Sequence, residues 1–296
     1  MMNTKRKICF IINPISGVGR QKIIEKLVSD LLDTTVFEPL LVYTEGPKHA
    51  TSLAKKAAQD GFEIVVSVGG DGSVNEIANG LIGTNTAMAI LPTGSGNGLA
   101  RHLGIPMDLK KAMLTLQKGT VQKIDSIQFN QECFVNVAGV GFDAHIGWEF
   151  SKFGKQGFSS YLKVILRELA ALKKQRYELE IDGQAKVEKE AYLISFANGS
   201  QWGNNASIAP LADVKDGVLD IVLVKKFSWL LSLPFGIKLF TKKIHTSSSV
   251  ETIKARQVIV KQEKNIAHID GEPIESGQSI TIKVNPLSLN VIVPTN

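Results

Sequence analysis

At 296 residues, 44% hydrophobic and 21% charged, the chain suits one large or two modest globular domains with real cores. A formal charge of +6 and a pI near 9.1 fit an anionic partner, but the basic residues form no dense block interleaved with aromatics, which sets nucleic acid aside. No window approaches the ~18 apolar residues of a membrane span, and Cys9 and Cys133 stand far apart in apolar runs, as reduced core residues of a cytosolic protein do.

Taken in order, the first third of the chain repeats one local plan: apolar strand, small-residue turn, helix. Ile8 to Ile12 runs into Asn13-Pro14-Ile15-Ser16-Gly17-Val18-Gly19-Arg20. That run is too short for an export signal, although Met-Met-Asn-Thr-Lys-Arg-Lys precedes it. Residues 20–33 place Ile23, Ile24, Leu27, Val28 and Leu31 on one helical face that covers a sheet. Leu40 to Tyr43 is a second strand, ended by Thr44 before Pro47, and Ala50 to Gln59 is a surface helix. His49 has no ligand-like spacing to a cysteine or another histidine, so no zinc site is expected.

Glu63 to Val68 is a β-branched apolar run of the kind that fills a parallel strand covered on both faces. It turns at Gly69-Gly70-Asp71-Gly72-Ser73-Val74-Asn75 and enters a helix. The glycines leave N–H groups unobstructed, so an anionic oxygen can approach the start of that helix. Asp71 is the odd residue there. A carboxylate beside a phosphate repels it unless a cation bridges the two or the carboxylate takes a proton from an attacking group. Ala87 to Leu91 then leads into Pro92-Thr93-Gly94-Ser95-Gly96-Asn97-Gly98-Leu99-Ala100-Arg101. Loops at the carboxyl ends of neighbouring strands converge in an open α/β sheet, so the three would share one nucleotide. None is a Walker A loop or a Rossmann fingerprint.

Met107 to Lys118 forms a helix, and at Lys123-Ile124-Asp125 the pattern changes character. The boundary is expected near residue 122, with an α/β nucleotide domain over 1–122 and a second domain over 123–296. Strand candidates at Cys133–Ala138, Tyr177–Ile181, Ala191–Ala197, Leu219–Val224, Gln257–Lys261, Ile280–Val284 and Leu289–Val293 argue for an antiparallel β-sandwich. Ser159 to Lys174 reads as a capped helix that covers one end of the sandwich or, with Gly147 to Phe158, forms the lip of a substrate pocket. Asp213, Asp216 and Asp220 surround Gly217, an oxygen-rich corner that suits Mg²⁺ or is a plain acidic turn in water. Asp270 and Glu272 flank Gly271 and are candidates for general-base chemistry. Phe227 to Phe240, flanked by Lys225, Lys226, Lys242 and Lys243, has the composition of an interfacial anchor, with an internal core helix as the competing reading. Pro234 and Gly236 forbid a single span.

Asn13 to Gly17, Thr44 with His49-Ala50, Gly69 to Asn75, Pro92 to Asn97, Gly139-Val-Gly-Phe-Asp143, Asp216-Gly217 and Asp270-Gly-Glu272 stand in that order. This series resembles the catalytic domain of the diacylglycerol kinase family of lipid kinases, which includes the sphingosine and ceramide kinases, and it covers nearly the whole chain. The resemblance implies an α/β N-terminal domain with an open parallel sheet and glycine-rich nucleotide loops, followed by a C-terminal antiparallel β-sandwich domain whose last strand returns to the first domain. It implies transfer of the γ-phosphoryl of ATP, with Mg²⁺, to a lipid hydroxyl at a membrane surface by a cytoplasmic, peripherally attached enzyme. Diacylglycerol is the first acceptor, and the Gly94–Ala100 loop keeps a sphingoid base or ceramide in view. A non-catalytic nucleotide-binding regulator is disfavoured by the presence of Asp71, Asp270 and Glu272, and a homodimer is left open.

By the same resemblance ATP would touch Asn13, Pro14, Ile15, Ser16, Gly17, Thr44, Gly69, Gly70, Asp71, Gly72, Ser73, Val74, Asn75 and Ser95. Val18 stands where bacterial members often carry a lysine, with Arg20 as its replacement. A structural Mg²⁺ would be held by Asp213, Asp216 and the backbone carbonyl of Val218. The catalytic carboxylates would be Asp270, Glu272 and Asp71, with the general base open between the Asp270-Glu272 corner and Asp71. Asp125 and Asp143 are lesser candidates for a supporting network and a head-group contact.

Overall fold

The computed structural model describes residues 5–16, 23–152, 173–225 and 232–295. Its contacts divide the chain into two units, Met1–Ile124 with Leu287–Asn296, and Asp125–Pro286.

The first unit contains β1 (Arg6–Ile12), α1 (Ile24–Leu31), β2 (Phe37–Tyr43), α2 (His49–Gln59), β3 (Ile64–Gly69), α3 (Asp71–Leu81), β4 (Ala87–Pro92), α4 (Gly98–His102) and α5 (Leu109–Lys118). Its strands run parallel in the order β2-β1-β3-β4. Every residue of β3 and β4 is buried, Ser67 included, which is why these segments read as predominantly apolar runs rather than alternating ones. Helix α1 buries Ile24, Leu27 and Val28. Ile23, just before the helix, and Leu31, its last residue, were expected on the same face but are exposed. Helix α5 starts at Asp108, whose side chain accepts the N–H of Lys111.

The second unit contains the second half of β5 (Thr120–Phe129), then β6 (Glu132–Phe134), β7 (Val137–Gly141), α6 (Phe142–Lys152), β8 (Gln175–Ile181), β9 (Val187–Ala191), β10 (Leu193–Ala197), β11 (Gln201–Gly203), β12 (Ala206–Ser207), β13 (Leu219–Val224), α7 (Ser232–Phe240), β14 (Val250–Ala255), β15 (Gln257–Gln262), β16 (Ile266–Ile269), β17 (Glu272–Glu275) and the first part of β18 (Ser279–Val293). One antiparallel sheet has the order β14-β13-β10-β7-β16-β17, and β18-β15-β8-β9 with β5-β6 form another. Alternate residues of the two sheets share one core: Ile194, Phe196, Leu219, Ile221 and Leu223 from the first, and Leu179, Val258, Val260, Ile280 and Ile282 from the second. The residues between them, Leu193, Ala197, Val222 and Val224, turn to the opposite face, where Phe235 and Leu239 of α7 pack on them.

Strands β5 and β18 carry the chain across the division. The end of β18 pairs in parallel with β4, Asn290 opposite Ala87, and so adds a fifth strand to the first unit's sheet. The two C-terminal strand candidates are thus one strand, with Leu287 at φ 47° in its middle. Cys133–Ala138, by contrast, is two strands, broken at Val135–Asn136. Gly17, Val18 and Arg20, most of the helix expected at Ser159–Lys174, and Phe227, Trp229 and Leu230 lie outside the described residues. No described helix is long and apolar enough to cross a membrane.

Candidate active site

Strands β1, β3 and β4 are parallel neighbours, so the loops that follow them emerge at one edge of the sheet. Backbone bonds stitch these loops together: Asn13 N–H donates to Val68, Thr44 N–H to Ile12, and the N–H groups of Thr93 and Gly94 to Gly69. Side chains add cross-links. Asn13 Nδ2 donates to Ser73 Oγ at 3.4 Å, the Ser16 and Thr93 hydroxyls lie 3.3 Å apart, and Asn13 Oδ1 accepts the N–H of Ile15. Two glycines permit the closeness. A Cβ on Gly94 would fall 2.4 Å from the Gly70 Cα, and one on Gly69 would fall 2.2 Å from Ser73 Oγ.

Helix α3 begins at Asp71 with no side chain capping it, so its first N–H groups point to the crest of these loops. The Asp71 carboxylate does not face that opening alone. Its Oδ2 accepts the N–H of Asn97 at 2.8 Å and its Oδ1 the N–H of Gly98 at 2.7 Å, which fastens the second loop to the start of α4. The charge that looked misplaced beside a phosphate is therefore compensated by backbone dipoles. Ser95 is exposed at the tip of the third loop, whereas Val74 turns its buried side chain to the core and gives its N–H to Gly70, so it supports α3 rather than the crest. The residues expected at the nucleotide did not include Asn97, which sits at φ 53° and donates from Nδ2 to the Gly94 carbonyl, or Glu76, whose two carboxylate oxygens accept the N–H groups of Lys48 and Ala50 at the start of α2. The left-handed tolerance of asparagine among glycines was the signal for Asn97; nothing local marked Glu76.

In the second unit Asp270 and Gly271, at φ 47° and 89°, form the two-residue turn between β16 and β17. Asp270 is buried. Its carboxylate accepts the N–H groups of Val135, Asn136 and Val137 at 3.1, 3.0 and 2.9 Å, which is what breaks the Cys133–Ala138 run into two strands. Glu272, the next carboxylate on the hairpin, is exposed.

The chain matches the diacylglycerol kinase catalytic domain over residues 7–129 and the YegS C-terminal NAD kinase beta sandwich-like domain over residues 136–293. It is 31% identical over 284 residues to a protein of Enterobacter sp. (strain 638) named "Probable lipid kinase YegS-like", 92% of each chain. The chain belongs to the YegS-like family of lipid kinases. It is also 31% identical over 225 residues to the diacylglycerol kinase of Bacillus subtilis (strain 168), 73% of each chain. A solved diacylglycerol kinase from Bacillus anthracis str. Sterne shares its fold at a TM-score of 0.73 and 23% identity, covering 97% of each chain. So does an NAD kinase from Archaeoglobus fulgidus in complex with ATP, at a TM-score of 0.53 and 16% identity over 96% of this chain and 93% of that one.

In this lipid kinase the acidic corner of the second unit does not fit the Mg²⁺ ligand set expected from Asp213, Asp216 and Val218. Asp213 Oδ1 accepts the N–H of Lys215, Asp216 Oδ1 accepts the N–H of Val218, and the remaining Asp216 oxygen receives the Lys254 ammonium at 2.7 Å. Lys254 also approaches the buried Asp220 at 3.6 Å. The ammonium supplies positive charge to these carboxylates. Burial raises the Asp220 pKa above the usual carboxylate range, Lys254 pulls it back and Asp216 pushes it further. Asp125, fully buried, accepts the N–H of Gly217 at 2.8 Å and anchors this turn.

Asp143, at the start of α6, is enclosed as well. Its Oδ2 accepts from Ser195 Oγ at 3.0 Å and lies 3.1 Å from His268 Nε2, while the neighbouring Tyr177 hydroxyl is held far above its usual pKa by burial first and the Asp143 charge second. This polar knot fixes α6 against β10 and β16. A separate cleft of about 860 Å³ opens in the first unit at the other end of the parallel sheet, lined by Lys55, Gln59, Asn79 and Thr86. It lies at the strands' amino ends, away from the glycine loops, and presents none of the carboxylates considered for proton transfer.

Proposed function

We propose that this lipid kinase transfers the γ-phosphoryl group of ATP to a lipid hydroxyl, with diacylglycerol as the acceptor. The observation that carries the reading is the crest of the first unit, where Asp71 binds the N–H groups of Asn97 and Gly98 at 2.8 and 2.7 Å beside the uncapped start of α3. Loops held this way keep open N–H groups fixed before a phosphate arrives, so little ordering is left for binding to supply. Asn13, Ser16, Thr44, Gly69, Gly70, Gly72, Ser73, Asn75 and Ser95 are the remaining crest positions we assign to the nucleotide.

Transfer requires the lipid O–H to lose its proton as its oxygen bonds to the γ-phosphorus and ADP departs. We assign the proton to Glu272, because it is exposed whereas Asp270 is buried under three N–H donors and serves to hold the hairpin. Mg²⁺ arriving with ATP supplies neutralisation of the phosphate charge. The same reading has the enzyme act from the cytoplasm at a membrane surface, where ATP and lipid meet.

The test is purified full-length chain with labelled ATP and, separately, diacylglycerol, sphingosine, ceramide and NAD⁺. Label in phosphatidic acid is the expected result. Label in sphingosine or ceramide would favour the reading drawn from the Gly94–Ala100 loop, and label in NAD⁺ alone, or in nothing, would sink the lipid kinase reading.

A further inference from the structure

We propose that the outer stripe of α7, with Lys242 and Lys243 behind it, is the surface by which this enzyme docks on an anionic lipid bilayer. The inference deepens the lipid kinase reading and rests on it for its purpose.

Leu233, Ile237 and Phe240 recur at i, i+4 and i+7 and so share one stripe of α7, where they are 75%, 55% and 47% exposed. Phe235 and Leu239 lie on the opposite stripe and pack on the Leu193, Ala197 and Val222 cluster. The helix is thus apolar on two sides, and the core uses only one. Folding gains nothing from keeping Leu233 and Ile237 in water, so the outer stripe calls for a nonaqueous partner.

Charge identifies that partner. From Ile221 to Val250 the chain has no Asp or Glu and has lysines at 225, 226, 238, 242 and 243. Lys225 is bound to Glu251 at 2.6 Å, whereas Lys242 and Lys243, directly after the helix, are exposed and pair with no carboxylate among the described residues. Apolar side chains beside unneutralised ammoniums match an acyl boundary topped by anionic head groups. A second copy of the chain fits less well. Three side chains offer far less than the ~800 Å² per partner of a stable interface, and a twofold contact would bring like-charged lysines together.

The test is co-sedimentation of the full chain with phosphatidylcholine vesicles, with and without phosphatidylglycerol. We expect binding that depends on phosphatidylglycerol and falls roughly tenfold in Leu233→Ser/Ile237→Ser and in Lys242→Glu/Lys243→Glu. Melting curves and turnover of a water-soluble short-chain diacylglycerol should stay unchanged in both. Variants that sediment like the original chain would overturn the proposal, as would light scattering that finds a dimer which the variants dissociate. A chain that phosphorylates no lipid yet sediments as described would sink the kinase reading and leave the docking surface standing.

Discussion

The Asp71 carboxylate accepts the Asn97 backbone N–H at 2.8 Å, so the residue that opens α3 also holds the residue that precedes α4. An asparagine at position 71 keeps the volume but sets an NH₂ against one of the two N–H donors. Asp71→Asn should raise KM for ATP roughly tenfold and lower stability by about 1 kcal/mol, read by steady-state kinetics and urea unfolding. Unchanged ATP kinetics would mean that the loops do not depend on this tie.

Gly94 and Gly70 approach too closely for any side chain on Gly94. Gly94→Ala, whose Cβ meets rigid backbone, should separate the two loops and abolish binding of a fluorescent ATP analogue. Gly46→Ala adds a methyl group with nothing within 4 Å and should bind normally. Equal binding by both would contradict the steric argument.

Asp270 and Glu272 are two residues apart but face different surroundings. Asp270→Ala strands three N–H groups in a buried place, with an expected loss of roughly 3–5 kcal/mol in urea unfolding. Glu272→Gln should leave unfolding unchanged and cut kcat by about 10² or more, the usual worth of a general base. The reverse pattern would move the proton acceptor to Asp270.

Asp220 gives stability a pH dependence of known sign. Its folded pKa is raised by burial, so the stability linked to its protonated form is complete below the unfolded value, ~3.9, and is lost as pH rises through the folded value. Asp220→Asn lacks this loss. Its stability relative to the original chain should climb as pH increases from about 4, and a flat difference across that range would refute the assignment.

Lys254 makes a prediction about metal. With its ammonium already on Asp216, removal of Mg²⁺ by EDTA should not shift the Tm of the nucleotide-free chain. Lys254→Met should lower stability by about 1 kcal/mol and make it Mg²⁺-dependent. A Tm that falls with EDTA in the unaltered chain would restore the metal site.

The parallel sheet was legible because Ile64–Gly69 and Ala87–Pro92 are buried on both faces, which leaves predominantly apolar runs with no charged residue in them. The glycine loops were legible for the same local reason. What escaped was set by residues distant in sequence. Asp270 breaks the Cys133–Ala138 run from 135 positions away at Val135, and no window around that run carries the information. Lys254 likewise lies 38 positions from the Asp216 it neutralises. Phe235 read as a membrane anchor by composition, yet its position on α7 turns it to the core, and only the packing separates the two stripes.

Leu287–Asn296 belong with the first unit, where the end of β18 covers the flank of β4. During synthesis the parallel sheet of the first unit must therefore wait, the flank of β4 bare, until the end of β18 has been made. A product stopped short of Leu287 would hold every glycine loop and still present an unsheathed β4, open to pairing with another chain. Closure of the parallel sheet is thus deferred to β18.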